Sequence, residues 1–443
     1  MTESPIGISL LGCGVVGSGV VRLLTEQREL LERRTGLRFD LRHVVVRDPH
    51  KHKSNPQHRG LPLTGDANAA IDDPKVSIVV ETVGGTTTAA EYVERALKLG
   101  KPVVTANKSL LAARGPELFT LARKHNACIA FEASAGGGIP IIDAMSRGLI
   151  ANRIDALVGI LNGTCNVILT RMTRNGWTYA QALAEAQKLG FAEADPTLDV
   201  SGRDTAQKLA LLAGLAFNVR VAESDIHVEG IDTLQPTDIA FAKELGYVIK
   251  LLAIADRGPD GRLGLRVHPT LVHTDDVMAE VSGGFNAISV YGHALGHALF
   301  YGRGAGQMPT ASAVVADLVS VAMGTTALMF KRLRIFPDAV QPATTLPMEQ
   351  TQARYYLRLT CRDQPGVMGQ VSQILGHHGI SLSAILQRET TEDGQFVPVV
   401  ITTHRAAEGP MRESLKALDR LPSVMPPTVC LRIIDQPKEF AAS

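Results

Sequence analysis

A chain of 443 residues is too long for one ordinary hydrophobic core and predicts two or three domains. With 45% hydrophobic and 20% charged residues it has the composition of a folded globular protein, which excludes extended disorder. A formal net charge of +1 gives no electrostatic case for nucleic acid or an anionic membrane as partner.

The N-terminal "MTESPIGISLLGCG" has no basic stretch ahead of its short apolar run, and Gly12 and Gly14 interrupt that run. It reads as a first strand, not a signal peptide. To residue 131 the chain then alternates apolar runs with amphipathic stretches. Strands are expected at Ile6–Leu11, Leu41–Val46, Val76–Glu81, Val103–Thr105 and Cys128–Phe131, with helices at Val15–Arg34, Ala89–Leu99 and Leu110–Lys124. That alternation predicts a parallel sheet covered on both faces, an α/β domain. Gly12-x-Gly14-x-x-Gly17 lies directly after the first strand and opens the first helix. The first glycine permits the tight turn, the second lets backbone approach a pyrophosphate, and the third permits close packing of helix on strand. A Rossmann-type dinucleotide site is therefore expected, with Val15 and Val16 in the helix turn whose free N–H groups face phosphate. Cys13, inside the turn, is given no chemistry.

At the end of the second strand, Arg47 stands where an NAD-preferring site has an acidic residue for the ribose hydroxyls. An arginine there pairs with a 2′-phosphate, and Lys51 and Lys53 add positive charge, so NADP is favoured over NAD even though Asp48 follows. The plain alternative for Arg47 is a solvated strand end. Gly84, in "ETVGGTTTA", and Thr105 and Lys108, in "TANKSLL", mark later strand ends, where ligands of open α/β sheets bind.

A second part, 132–345, mixes strands (Asp155–Leu161, Leu263–Leu271) with helices (Thr178–Lys188, Arg203–Ala216, Ser312–Lys331) in an α+β arrangement. Its segment 188–209, "KLGFAEADPTLDVSGRDTAQKL", gathers Glu193, Asp195, Asp199, Asp204 and Lys208. On a helix, Asp204 and Lys208 project from one face. Alone, that pair is an ordinary exposed ion pair, and the plain reading of the whole stretch is a solvated loop. "QPATTLPMEQTQA" then has the look of a linker. The third part, 353–443, runs strand, helix, strand, strand, helix, strand, a small βαββαβ sandwich. His293 and His297 match no metal-ligand pattern and read as structural. The five cysteines form no metal-type cluster and fit a reducing, cytoplasmic setting.

Together "GCGVVGSGV", "ETVGGTTTA", "TANKSLL", "FEASAGGGIPII", "GILNGTCN", "LGFAEADPTLDVSGRDTAQKL" and "GRGAGQMPTASAVVADL" resemble homoserine dehydrogenase, in that family's order and over nearly all of residues 6–330. The C-terminal part, with "RDQPGVMGQVSQIL", resembles an ACT domain. The resemblance implies a monofunctional, ACT-tailed enzyme: an NAD(P)-binding domain at 1–131 to which 304–330 returns, a catalytic and dimerisation domain at 132–345, and a regulatory domain at 353–443. It implies interconversion of L-aspartate 4-semialdehyde and L-homoserine with NADP or NAD. Glu193 and Asp204 match substrate-binding residues, Asp199 is added to them, and Lys208 matches the proton donor, with Lys108 as second candidate. Gly190, Gly304 and Gly306 match cofactor-binding positions. Glu132 with the carbonyls of Ala135, Gly137 and Ile139 matches a Na+ site, oxygen donors that suit a hard cation. Ala135 and Gln307 depart from residues frequent in the family. L-threonine at the ACT domain and a homodimer or homotetramer are likewise implied.

Two other readings stand beside this one. An aspartate-semialdehyde dehydrogenase needs an activated cysteine, for which Cys165 is the candidate. A non-catalytic sensor would use the nucleotide and ACT domains only to bind.

Overall fold

The structure is a computed structural model that describes residues 4–53, 58–388 and 396–435. Expected features at Glu389 and beyond 435 lie outside the described residues, and of Lys53 only the backbone is described. Among the described residues no single helix is long and apolar enough to cross a membrane. The chain forms two compact units, each assembled from separate stretches.

The first unit comprises residues 1–157, 206–225 and 285–343. Its sheet contains β1 (Ile6–Leu11), β2 (Phe39–Val45), β3 (Leu63–Thr64), β4 (Ile78–Glu81), β5 (Val103–Thr105) and β6 (Ile129–Ala130). The order is β3-β2-β1-β4-β5-β6, and every adjacent pair is parallel. Residues such as Ile8, Leu10, Val79 and Val80 are fully buried in succession, which is why these strands read as unbroken apolar runs. The order reverses between β1 and β4, and that switch opens a crevice at the strands' carboxyl ends.

Two long helices expected from periodicity are each broken. Val15–Arg34 is two helices, Val15–Glu26 and Arg28–Thr35, and the second buries no residue. Its polar sequence carries helix propensity but no face for the core. Ser312–Lys331 is Gln307–Ala322 followed by Thr325–Arg332, bent by 78° where Gly324 adopts φ +77°. The first of these helices crosses Val15–Glu26 at Gly19, where a Cβ would lie 2.8 Å from the Gln307 carbonyl oxygen. An antiparallel hairpin, Phe285–Gly292 with Gly296–Arg303, was not expected from the sequence.

The second unit comprises residues 158–205, 226–284 and 344–443. Strand Leu263–His273 pairs along its whole length with Tyr247–Arg257, a strand the sequence reading passed over. The βαββαβ order of the tail is present: Gln352–Arg362, Val367–His377, Leu382–Gln387, Phe396–Thr403, Glu408–Leu418 and Val424–Ile433. Tyr355, Leu357, Leu359, Val371, Leu375, Ile401, Met411 and Leu418 form its core. The linker, however, does not set this sandwich apart. Val424–Ile433 pairs in parallel with Leu263–His273 at Thr270–Arg432 and Leu271–Ile433. Asp238, fully buried, is held by Arg358 of the tail, Nε to Oδ1 at 2.6 Å. Replacing Arg358 alone would leave that carboxylate buried without its ion-pair partner, a loss of about 3–5 kcal/mol.

Candidate active site

The crevice of the first unit is a cleft of about 490 Å³ lined by Gly12, Gly14, Arg47, Thr82, Gly84 and Gly85 among others. Gly12 turns with φ +94°, and a Cβ on Gly17 would lie 2.2 Å from the Gly12 carbonyl oxygen. Gly14, by contrast, has nothing within 4 Å and starts the helix Val15–Glu26 without a side-chain cap. Its open face and the uncapped first turn are what a pyrophosphate needs. Val15 is 68% exposed there, with Val16 half-buried behind it. Arg47 is exposed at the cleft edge. Asp48 faces elsewhere: its Oδ1 accepts the backbone N–H groups of His50 and Lys51, which hold its carboxyl below the usual range.

The far wall depends on a residue the sequence reading overlooked. Glu81, fully buried at the end of β4, accepts the N–H groups of Val83 and Gly84 through Oε1 and the Thr105 hydroxyl through Oε2, at 2.6–2.9 Å. Asn107 caps the helix Lys108–Lys124 through Leu110 N–H and donates to the Gly85 carbonyl. Thr105 thus serves the scaffold, and Lys108 is the first residue of the helix it supports. Ser109 donates to Gln207 Oε1 at 2.9 Å, which brings the neighbours of Lys108 and Lys208 together across almost a hundred residues of sequence.

Gly306 (φ +123°) precedes the helix Gln307–Ala322, and Gln307 lines a recess beside Cys13, Gly14 and Val15. Gly304 lies against a different neighbour: a Cβ on Gly137 would meet its carbonyl at 2.4 Å. That turn belongs to the Glu132 region. Glu132 is buried, accepts the N–H groups of Ile142 and Asp143 at 2.9 and 2.7 Å, and donates its own N–H to Asp317. Burial pushes its carboxyl up to about 7, and Asp317 well above its ordinary range. Ala135, Gly137 and Ile139 follow in the chain, and the Ile139 carbonyl accepts the Ile141 N–H at 2.8 Å. Among the described residues no cluster of three or more His, Cys, Asp or Glu side chains suits a metal. His293 Nδ1 accepts the Arg153 N–H and His297 stacks on Tyr291, so both serve the hairpin.

The carboxylates gather in the second unit around Asn162, another residue that sequence reasoning left without a role. Its Nδ2 donates to Asp199 Oδ1 at 2.7 Å and Asp204 Oδ2 at 2.8 Å, while its Oδ1 caps the helix Gly163–Asn175. Thr164 donates to Asp199 Oδ2 at 3.1 Å. Asp199 and Asp204 thus share the two N–H groups of one side-chain amide. A lone asparagine before Gly-Thr-Cys is an N-cap signal, and that signal was available in "GILNGTCN". Glu193 is exposed on the loop after the helix Tyr179–Lys188, with Gly190 at φ +76° opening that loop. Asp195 instead closes a turn on the N–H and hydroxyl of Thr197. The helix Arg203–Phe217 carries Asp204 and, one turn later, the half-buried Lys208. Cys165 is fully buried, its thiol on the Asp199 carbonyl, and is not placed as a nucleophile.

Comparison with known proteins shows the family. Residues 12–132 match the family model "Homoserine dehydrogenase, NAD binding domain", residues 140–319 match "Homoserine dehydrogenase", and residues 355–422 match "ACT domain". A homoserine dehydrogenase of Pseudomonas aeruginosa is 43% identical over 97% of this chain and 99% of its own. The crystal structure of a homoserine dehydrogenase from Thiobacillus denitrificans superposes with a TM-score of 0.91 at 41% identity, covering 98% of this chain and 99% of that one. A hyperthermophilic archaeal homoserine dehydrogenase in complex with NADPH gives a TM-score of 0.62 at 25% identity, over 72% of this chain and 98% of its own.

Proposed function

The chain belongs to the homoserine dehydrogenase family, and from that premise we propose how its own residues carry out the interconversion of L-aspartate 4-semialdehyde and L-homoserine. The observation that carries the proposal is the carboxylate pair bridged by Asn162, on a segment whose next helical turn presents a lysine. Asp199, Asp204 and Glu193 accept the substrate's α-ammonium, a charge that cannot leave water unpaired. Lys208 gives a proton to the C4 oxygen as the aldehyde is reduced and takes it back in the oxidation direction. Lys108, whose neighbour Ser109 bonds Gln207, the neighbour of Lys208, adds positive potential at the same oxygen. The bound nicotinamide cofactor supplies or accepts the hydride. With Cys165 buried on a backbone carbonyl, nothing favours acyl-enzyme chemistry.

NADP is the preferred cofactor in this reading. Arg47 is exposed at the cleft while Asp48 is turned onto the backbone N–H groups of His50 and Lys51, and the archaeal relative is described with NADPH. Arg47→Ala is expected to lower kcat/KM with NADPH about 10–100-fold more than with NADH, the worth of one charged hydrogen bond. Equal losses with both cofactors would remove Arg47 from the 2′-phosphate.

Glu132 and the carbonyls of Ala135, Gly137 and Ile139 hold a structural Na+, which relieves the burial of two carboxylates. The tail binds L-threonine at Gly366, which adopts φ +91° at the uncapped start of Val367–His377 with nothing within 4 Å of its side-chain position. Edge strand Leu382–Gln387, with Ile385 48% exposed, supports side-by-side pairing of tails in a homodimer or homotetramer. The scattered free cysteines support a cytoplasmic location. Titrating the full-length enzyme with L-threonine should lower its rate, and Gly366→Val should abolish that response while leaving the basal rate. An enzyme indifferent to threonine makes the tail an assembly element.

A further inference from the structure

Arg432, in the last strand of the tail, is buried between two carboxylates. On one side its Nη1 and Nη2 donate to Glu229 Oε2 and Oε1 at 2.6 and 2.9 Å. On the other side its Nε donates to Glu408 Oε2 at 3.0 Å, and Nη2 also reaches Glu408 Oε1. Glu408 belongs to the tail, where it also takes the Tyr355 hydroxyl. Glu229 does not: it follows the short strand His227–Val228, and its N–H donates to the Val267 carbonyl at 2.8 Å.

The next two residues after Glu229 press on the acidic segment. A Cβ on Gly230 would lie 2.5 Å from the Val200 carbonyl oxygen, and Ile231 N–H donates to that same oxygen at 2.9 Å. Gly202, at φ +84°, closes the other side, where a Cβ would lie 3.2 Å from the Glu229 carbonyl oxygen. Val200 is the residue after Asp199, in the single turn Thr197–Val200. A chain of direct contacts thus runs from the tail's arginine to one of the two carboxylates that Asn162 bridges.

We propose that Glu229 is a positioning residue: anchored by Arg432, it seats Gly230 and Ile231 against Val200 and so fixes Asp199 for the substrate's ammonium. This rests on the reading of Asp199 as a substrate carboxylate, and it gives the tail a direct hold on substrate affinity. Glu408 shares the arginine but not the contact with Val200, so its loss weakens the tail without moving Asp199.

The test uses full-length enzyme and three variants, Glu229→Gln, Gly230→Ala and Glu408→Gln, with KM for homoserine and for NADP+ measured separately. Glu229→Gln and Gly230→Ala should each raise the homoserine KM about 5–20-fold while the NADP+ KM stays within about two-fold. Glu408→Gln should leave the homoserine KM within about two-fold. Gly230→Ala removes no charge, so it reports even if Glu229→Gln does not fold. The proposal is overturned if Gly230→Ala keeps the wild-type homoserine KM. It is equally overturned if both KM values rise together, or if Glu408→Gln matches Glu229→Gln. Asp199→Asn tests the underlying reading: a wild-type homoserine KM there removes Asp199 from the substrate, whatever Glu229 does.

Discussion

Lys208→Ala is expected to lower kcat by about 10²–10⁴-fold, the usual contribution of a positioned general acid, while cofactor KM changes little. The side chain is half-buried on the helix Arg203–Phe217, and the neighbours that fix its helix are intact in the variant. Gln207 stays bonded to Ser109 and Glu223, and alanine is the residue that helices accept best. The loss therefore reports chemistry and not folding. Lys108→Ala supplies the contrast: a larger kcat loss there than in Lys208→Ala would transfer the proton to Lys108. Rate measurements at saturating substrate in both directions decide between them.

Glu193→Gln should raise the homoserine KM by about 10–100-fold with a much smaller change in kcat, because a charged acceptor becomes a neutral one of the same shape. Glu193 is exposed, and its backbone position is fixed by Gln187, whose Nε2 donates to the Glu193 carbonyl. The variant should melt within about a degree or two of wild type, as surface substitutions do. Asp195→Asn is the matching control, since that carboxylate is spent on Thr197 and its turn. If the two variants show the same homoserine KM, Glu193 has no place at the ammonium.

Much of this site was legible because its signals are local. Gly12, Gly14 and Gly17 each have the surroundings their spacing implies: a turn, an open face and a helix seated on a strand. The five strands read from apolar runs all exist, and β3 was missed because two residues carry no periodicity. What stayed hidden depends on distant partners. Nothing in "TANKSLL" or "DTAQKL" announces that Ser109 bonds Gln207. Glu81 looks like one more strand-end acid until its three donors are seen. The strand Tyr247–Arg257 is apolar except at Lys250 and its last two residues, without alternation, which periodicity alone cannot tell from a buried helix. The linker before the tail was read from prolines, but Arg358 and Arg432, buried against Asp238 and Glu229, carry the contacts past it.

The nucleotide-binding unit is built from three stretches of chain, and its first helix rests at Gly19 on a helix that begins at Gln307. On the ribosome, that partner emerges nearly three hundred residues later, about 15–60 s at the usual ~5–20 residues per second. From the emergence of β6 until then, the nascent β1 to β6 sheet lacks that covering helix and keeps apolar surface bare. Newborn chains should therefore lean on chaperones that shield exposed apolar surface, and pausing translation before residue 307 should yield a species that cannot yet bind nucleotide.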